Sequence, residues 1–241
     1  MRIGRRVLGA AAVLAGAAGL VLGHAALGPL AVVVHAGDAV LILGGIGINL
    51  HGRWAACAAI ALVAYFAVSL ALAAPRLASE WPQWVTGQDV AEILAMGIGP
   101  LLAWRMLAGA NEGAADRIGE IARRLFGVCL LVFGISHVVY LKFTASLVPA
   151  WLPPSQVFWA WATGAAHIAA GLAILSGVMA RRAAMLATAM FALFGLMVWL
   201  PAVLHAPGSR DAWHETGVNW LLVGAAWCVA DWLGRDARKA G

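Results

Sequence analysis

The residues able to do chemistry in this chain are two histidines in apolar surroundings, with a phenol, several indoles and a few carboxylates near them in sequence. His137 and Tyr140 stand together in FGISHVVY, Trp151 follows in VPAWLPP, and His167 sits inside TGAAHIAAG. His214 and Glu215 belong to WHETG near the end, with His205 and Asp211 just before them. Imidazole donates and accepts hydrogen bonds and titrates near neutrality, a phenol or indole stacks on a flat ring, and a nearby acid relays protons. Brought together, His137, Tyr140, Trp151, His167, His214 and Glu215 form a polar pocket for a small ligand. A plainer reading also fits: the histidines bond to each other, to Tyr140 or to backbone carbonyls, and fix helix register.

Asp89 and Glu92, at i and i+3, share a helix face and are secondary candidates, because a carboxylate inside a bilayer is costly and is kept for a reason. Asp38 has the same standing, whereas Asp231 and Arg235 at i and i+4 read as an ion pair. A metal site made of His137, His167, His205 and His214 has suitable donors. No H-x-x-H, H-E-x-x-H or cysteine-rich spacing accompanies them. Cys57, Cys129 and Cys228 lie in separate apolar runs, which argues against a dithiol centre or a disulfide framework. P-loop, Rossmann, nucleophile-elbow and zincin patterns are absent, so no cofactor is legible in motifs.

The elements that must position these residues are membrane spans. The chain has 241 residues, of which 63% are hydrophobic and 11% charged, and its mean hydropathy is +0.88. A soluble domain carries roughly 25% charged residues. Apolar runs long enough to cross about 30 Å of hydrocarbon recur along the whole length. Breaks at charged, proline-rich and glycine-rich points give eight spans, at 7–28, 33–50, 55–74, 88–107, 121–142, 156–178, 182–201 and 215–234. The second, with Asp38, Gly44, Gly45 and Gly47, is the weakest and can be read as broken or re-entrant. With the N-terminus in the cytoplasm, all of the 16 lysines and arginines except Arg76, Lys142 and Arg210 fall on the inner side. That asymmetry accounts for the net charge of +5 and a pI near 9.7 without a nucleic-acid partner.

The N-terminal segment has the charged start and apolar middle of a cleavable signal. However, RRVLGAAAVLAG at 5–16 aligns without gaps on RRLFGVCLLVFG at 123–134, so the first copy reads as a retained span. The third span of each half ends at a proline (AAP at 73–75, WLP at 199–201). The fourth is entered by a tryptophan and a glycine (WVTG at 84–87, WHETG at 213–217). The expected architecture is therefore all-α: two four-span repeats, 1–110 and 121–241, running the same way and joined by a cytoplasmic linker at 111–120. Within it, Gly127, Gly134 and His137 form one helical stripe whose counterparts are Gly9, Gly16 and Gly19. Gly164, His167 and Gly171 form another, turning His167 towards neighbouring helices. Trp81, Trp84, Trp151, Trp159, Trp161, Trp199 and Trp213 gather towards the outer boundary, as an aromatic belt or a surface for a lipid or periplasmic partner.

FGISHVVYLKFTASLVPAWLPPSQVFWAWATGAAHIAAGLAILSGV at 133–178, followed by VWLPAV at 198–203, resembles the DoxX family of small bacterial membrane proteins. The resemblance covers roughly 120–235 and rests on H-x-x-Y, VPAWLP and TG-x-x-H-I-A-A-G. The first half keeps the four-span layout without these motifs, as a degenerate copy. The resemblance implies four-helix units, a bacterial inner-membrane location and, for the founding members, association with quinone-linked oxidation of sulfur compounds. Three functions follow as expectations. The first is an accessory or quinone-binding membrane subunit of an oxidoreductase, with the pocket holding the quinone. The second is a non-enzymatic scaffold or assembly factor that binds lipid or another membrane or periplasmic protein, and the third is a small-molecule transporter.

Overall fold

The computed structural model describes residues 3–23, 30–80, 83–108 and 117–237. Arg2, Trp81, Arg238, Lys239 and the linker as far as residue 116 lie outside these. The described chain is all-α. Its helices are α1 (Ile3–Leu22), α2 (Leu30–Gly47), α3 (Arg53–Ser79), α4 (Trp84–Leu107), α5 (Arg117–Val139), α6 (Leu141–Leu147), α7 (Gln156–Ser176), α8 (Ala180–Phe194), α9 (Leu200–His205) and α10 (Arg210–Ala237), with a π-helical segment, Gly195–Trp199, between α8 and α9. Five stretches are long and apolar enough to cross a membrane: α1, α3, α4, α7 and the run Ala180–His205. A sixth is α5 with α6, a pair bent by 96°.

Large aliphatic side chains point outward along these helices, as at Val32 and Leu72, while alanines at 12, 55, 225 and 226 are fully enclosed. Small residues inside and bulky ones outside suit a lipid surround, where helices gain by close backbone approach. In α1 against α2, a Cβ on Gly9 would stand 2.5 Å from the Gly45 carbonyl oxygen, and one on Gly16 would stand 2.4 Å from that of Asp38. In α5 against α7, Gly127 faces the Gly171 carbonyl at 3.0 Å and Gly134 faces that of Gly164 at 2.7 Å. Neither pair could seat this closely with a side chain in the way.

Neighbouring helices follow the chain: α1 packs on α2, α2 on α3 and α3 on α4, then α5 on α7, α7 on α8 and α8 on α10. The halves meet where α1 packs on α10, α4 on α5 and α4 on α10. At the centre a Cβ on Gly224 would stand 2.5 Å from Leu8 Cα, and one on Gly99 would stand 2.9 Å from Ala225 Cα. These contacts run antiparallel along the sequential pairs, so Arg5, Arg53, Arg105, Arg123, Arg181 and Arg235 share one end of the bundle. At the opposite end Glu80 closes the corner between α3 and α4. It accepts hydrogen bonds from Thr86 Oγ1 at 2.7 Å and Arg76 Nε at 3.4 Å, which hold its carboxyl below the usual range.

Several boundaries differ from the sequence expectation. Pro75 and Pro201, read as span ends, lie inside helical runs. Pro75 is in the last turns of α3, where its missing N–H costs one main-chain bond and few helical residues follow it, and Pro201 follows the π segment. The fifth span stops at Val139, where the chain bends at Tyr140. The second, the weakest of the expected spans, is one continuous helix of 18 residues, and it is not among the helices long and apolar enough to cross a membrane.

Gly134→Ala would drive its Cβ into Ile168 Cγ1 at 2.5 Å and into the α7 backbone. It should destabilise the protein by about 1–3 kcal/mol. Gly87→Ala, with nothing within 4 Å of the new Cβ, should leave stability unchanged or raise it by up to about 1 kcal/mol. Thermal unfolding followed by circular dichroism in mild detergent separates the two; equal behaviour would contradict the close packing.

Candidate functional site

The α5–α7 contact sets the site. Because Gly134 and Gly164 admit each other's helix, His137 and His167, each one turn further along, meet with ring centroids 4.9 Å apart. His167 is 1% exposed and His137 half-buried. His137 Nδ1 lies 2.8 Å from the Phe133 carbonyl oxygen and His167 Nδ1 lies 2.9 Å from that of Thr163. A carbonyl only accepts, so each Nδ1 carries the hydrogen, and in the neutral ring Nε2 is left as a bare acceptor. His167 Nε2 is buried without a hydrogen-bond partner.

Phenylalanines enclose the pair. Phe133, Phe191 and Phe194 have ring centroids 6.0, 5.4 and 6.1 Å from that of His167, and Phe194 stacks on His137 at 6.5 Å. The π segment begins just after two of these rings. The Gly195 N–H is shared between the carbonyls of Phe191 and Ala192, and the Leu200 N–H reaches back five residues to the Gly195 carbonyl. Asn219 of α10, itself buried, donates Nδ2–H to the Phe191 carbonyl at 3.0 Å, in space opened by the missing side chain of Gly195. On the other flank Trp84 Nε1 donates to Ser136 Oγ at 2.7 Å, tying α4 to α5 next to His137.

The remaining sequence candidates lie elsewhere. Tyr140 stands at the bend before α6, and Trp151 is 71% exposed on the segment between α6 and α7. His214 is exposed and Glu215 half-buried on α10, within electrostatic range of Asp89, while Glu92 is within range of both Glu215 and Asp89. Glu92 accepts from Gln88 Nε2 at 3.1 Å. The six-residue pocket therefore divides into the histidine pair on α5 and α7, His214 and Glu215 on α10 near the α4 carboxylates, and Tyr140 and Trp151 apart from both. His205 is exposed, and among the described residues no group of three or more His, Cys, Asp or Glu is placed to hold a metal ion. The four-histidine arrangement is not assembled. Cys57, Cys129 and Cys228 are all free thiols. Asp231 accepts from the Gly4 N–H at 3.0 Å, and the Arg235 guanidinium lies 4.5 Å over the Trp232 ring. Trp159 and Trp213 donate to the Pro153 and Pro207 carbonyls, each bracing the loop before its helix.

Sequence reasoning missed Phe191, Phe194, Gly195 and Asn219. No local pattern in the sequence marks them.

Among known proteins, a family model described as a domain of unknown function (DUF8561) matches residues 126–230. That stretch runs from Phe126 in α5 to Ala230 in α10 and contains both histidines. No curated protein and no solved structure matches the chain.

A buried acceptor without a donor costs about 1–3 kcal/mol. His167→Leu, similar in volume, should therefore unfold at the same or a higher temperature than the parent when stripped of lipid and small molecules. Asn219→Ala, which withdraws the α10 donor from the Phe191 carbonyl, should lower stability by about 1–2 kcal/mol. Differential scanning fluorimetry reads both; a clear loss on His167→Leu would make the histidine purely structural.

Proposed function

We propose that this chain is an integral protein of the bacterial inner membrane, with eight spans in two parallel four-span units and both termini in the cytoplasm. We propose further that His137 and His167 bind the hydroxyl of a reduced quinone, as an accessory or quinone-binding membrane subunit of an oxidoreductase. The membrane reading draws support from the apolar helices and from the arginines gathered at one end.

The two-unit reading draws support from the packing. Exchanging α1, α2, α3 and α4 with α5, α7, α8 and α10 keeps the sequential neighbours and the contacts between halves, although the small α1–α4 contact has no comparable counterpart between α5 and α10. The glycine notches match as well, with seven residues between paired contacts in all four helices: Gly9 and Gly16 against Gly45 and Asp38, Gly127 and Gly134 against Gly171 and Gly164.

One observation carries the ligand reading: the buried, unpartnered Nε2 of His167, beside a second imidazole and walled by three phenylalanines. A bare acceptor in an aromatic box asks for a flat apolar ring that presents an O–H. Reduced quinone has that form, whereas the oxidised carbonyl would face another acceptor. The DoxX-like motifs at 133–178 point to the same chemistry. A scaffold in which the histidines only fix register is favoured by the seat of His137 over Gly164, where a Cβ would stand 2.9 Å from that of His137. It leaves His167 Nε2 unexplained.

The test is equilibrium dialysis of purified protein against a short-chain benzoquinol under reducing conditions, with mass spectrometry of whatever quinone co-purifies. Saturable binding should weaken about tenfold or more in His167→Leu, the loss of one hydrogen bond made in an apolar site. Folded protein that binds no quinol, or a variant that binds as well as the parent, would sink the quinone reading and leave the scaffold.

A further inference from the structure

Around Trp232, at the arginine-bearing end of the bundle, the imbalance is reversed; the unpartnered acceptor at that end, Asn49 Oδ1, lies on the other side of α1, against Gly9. Arg5 Nε, Arg123 Nη1 and Trp232 Nε1 are buried N–H donors without a hydrogen-bond partner. Arg123 and Trp232 are each 5% exposed. An unsatisfied buried donor is costly, and more so when charged, so three at one end of a bundle point to acceptors supplied from outside the chain.

The three belong to one neighbourhood around the last turns of α10. Gly4 lets α1 close on α10: its N–H donates to Asp231, and a Cβ there would stand 2.7 Å from the Cys228 backbone nitrogen. Arg5 is the next residue and lies near Cys228. On the other side, the Trp232 indole lies against Gly119 of α5, where a Cβ would stand 2.6 Å from Nε1, and Arg123 is one turn further along the same helix. Further positive charge surrounds Trp232, from the Arg235 guanidinium over its ring and from Arg181, whose Nε would stand 2.9 Å from a Cβ on Gly234. The acids nearby are engaged: Glu120 pairs with Arg123 and Arg124, and Asp231 takes the Gly4 N–H. Arg5 and Arg123 are also matched positions of RRVLG and RRLFG, so the donor recurs in both halves.

We infer that this end of the bundle binds a phosphate-type oxyanion, with Arg5, Arg123 and Trp232 as donors. Donors on three helices suit an anion with several oxygens, and surplus arginine charge suits a phosphate. Two sources carry that chemistry, the headgroup of an anionic phospholipid and free inorganic phosphate. The lipid source rests on the membrane orientation proposed above, in which these arginines face the cytoplasmic leaflet; neither source rests on the quinol reading.

The experiment uses the full chain in neutral detergent and measures its unfolding temperature with added phosphatidylglycerol, with phosphatidylcholine at the same mole fraction, and with inorganic phosphate against chloride at equal ionic strength. Native mass spectrometry counts retained lipid. Phosphatidylglycerol should raise the unfolding temperature where phosphatidylcholine does not; a rise with phosphate as well assigns the site to the bare anion, and its absence assigns it to the headgroup. Either outcome supports the site. Trp232→Phe keeps the ring and loses the N–H, and half-exposed Arg5→Gln tests a second donor without opening the core. Each should require about tenfold more ligand for the same rise, the loss of one hydrogen bond. No rise with either probe in the parent protein, or an undiminished rise in both variants, overturns the inference.

Discussion

Everything in this fold hangs on backbone meeting backbone where α1 crosses α2 and α5 crosses α7. In an apolar surround the gain from burying a leucine is small, and helices hold together by approach too close for side chains. Once glycines set that approach, residues one turn away have no freedom of placement. In the second pair the imidazole of His137 comes to lie over Gly164, facing His167. In the first pair Gly19 stands at the position of His137, and the space it leaves is entered from the other helix, by the carboxylate of Asp38; a Cβ on Gly19 would stand 2.3 Å from its Oδ1. Both crossings thus carry a polar side chain at the same level, delivered from opposite helices. One backbone geometry accepts either arrangement, because the glycine that makes room can lie on either partner.

This explains which parts of the molecule were legible in the sequence. The all-helical class, the glycine stripes and the inward turn of His167 follow from composition and from the period of single helices, which a sequence displays. The meeting of His137 with His167 needed one further inference, that both stripes belong to one interface. The π segment has no period of its own, and Asn219 is 28 residues from the carbonyl it serves, so neither leaves a local mark. Spacing likewise put Tyr140 and Trp151 with His137 because they are close in sequence. A 96° bend at Tyr140 turns the following residues away from the axis of α5.

The last helix illustrates a further limit of reading by hydropathy. α10 has Asp211, His214, Glu215, Asn219 and Asp231 along it and is not among the helices apolar enough to qualify as a span. Yet it is enclosed by α1, α4 and α8, and most of its residues from Leu221 to Ala230 are buried. A helix walled by other helices has no need to be apolar all round, since its polar groups find partners in the bundle. Asn219 holds the π segment, Asp231 holds the start of α1, and Thr216 bonds back to the Ala212 carbonyl. Low hydropathy in α10 is therefore a consequence of its central place.

The same helix connects the two ends of the molecule, and its surroundings at His167 and at Trp232 differ in the sign of what they lack. Near the π segment, which α10 braces through Asn219, the unpartnered atom is a nitrogen lone pair on His167. Around Trp232 the unpartnered atoms are N–H groups. A lone pair is satisfied by a donor, as in a hydroxyl, and clustered N–H groups are satisfied by an anion's oxygens, so the two places call for different groups. The two sites also differ in wall: three phenylalanines at the first, arginines from four helices at the second. An apolar wall strengthens a single neutral hydrogen bond by excluding water, whereas a charged rim favours a charged ligand that water would otherwise keep. Donor and acceptor bookkeeping of this kind ranks ligand classes before any ligand is known, because each buried, unanswered atom already states which partner it requires.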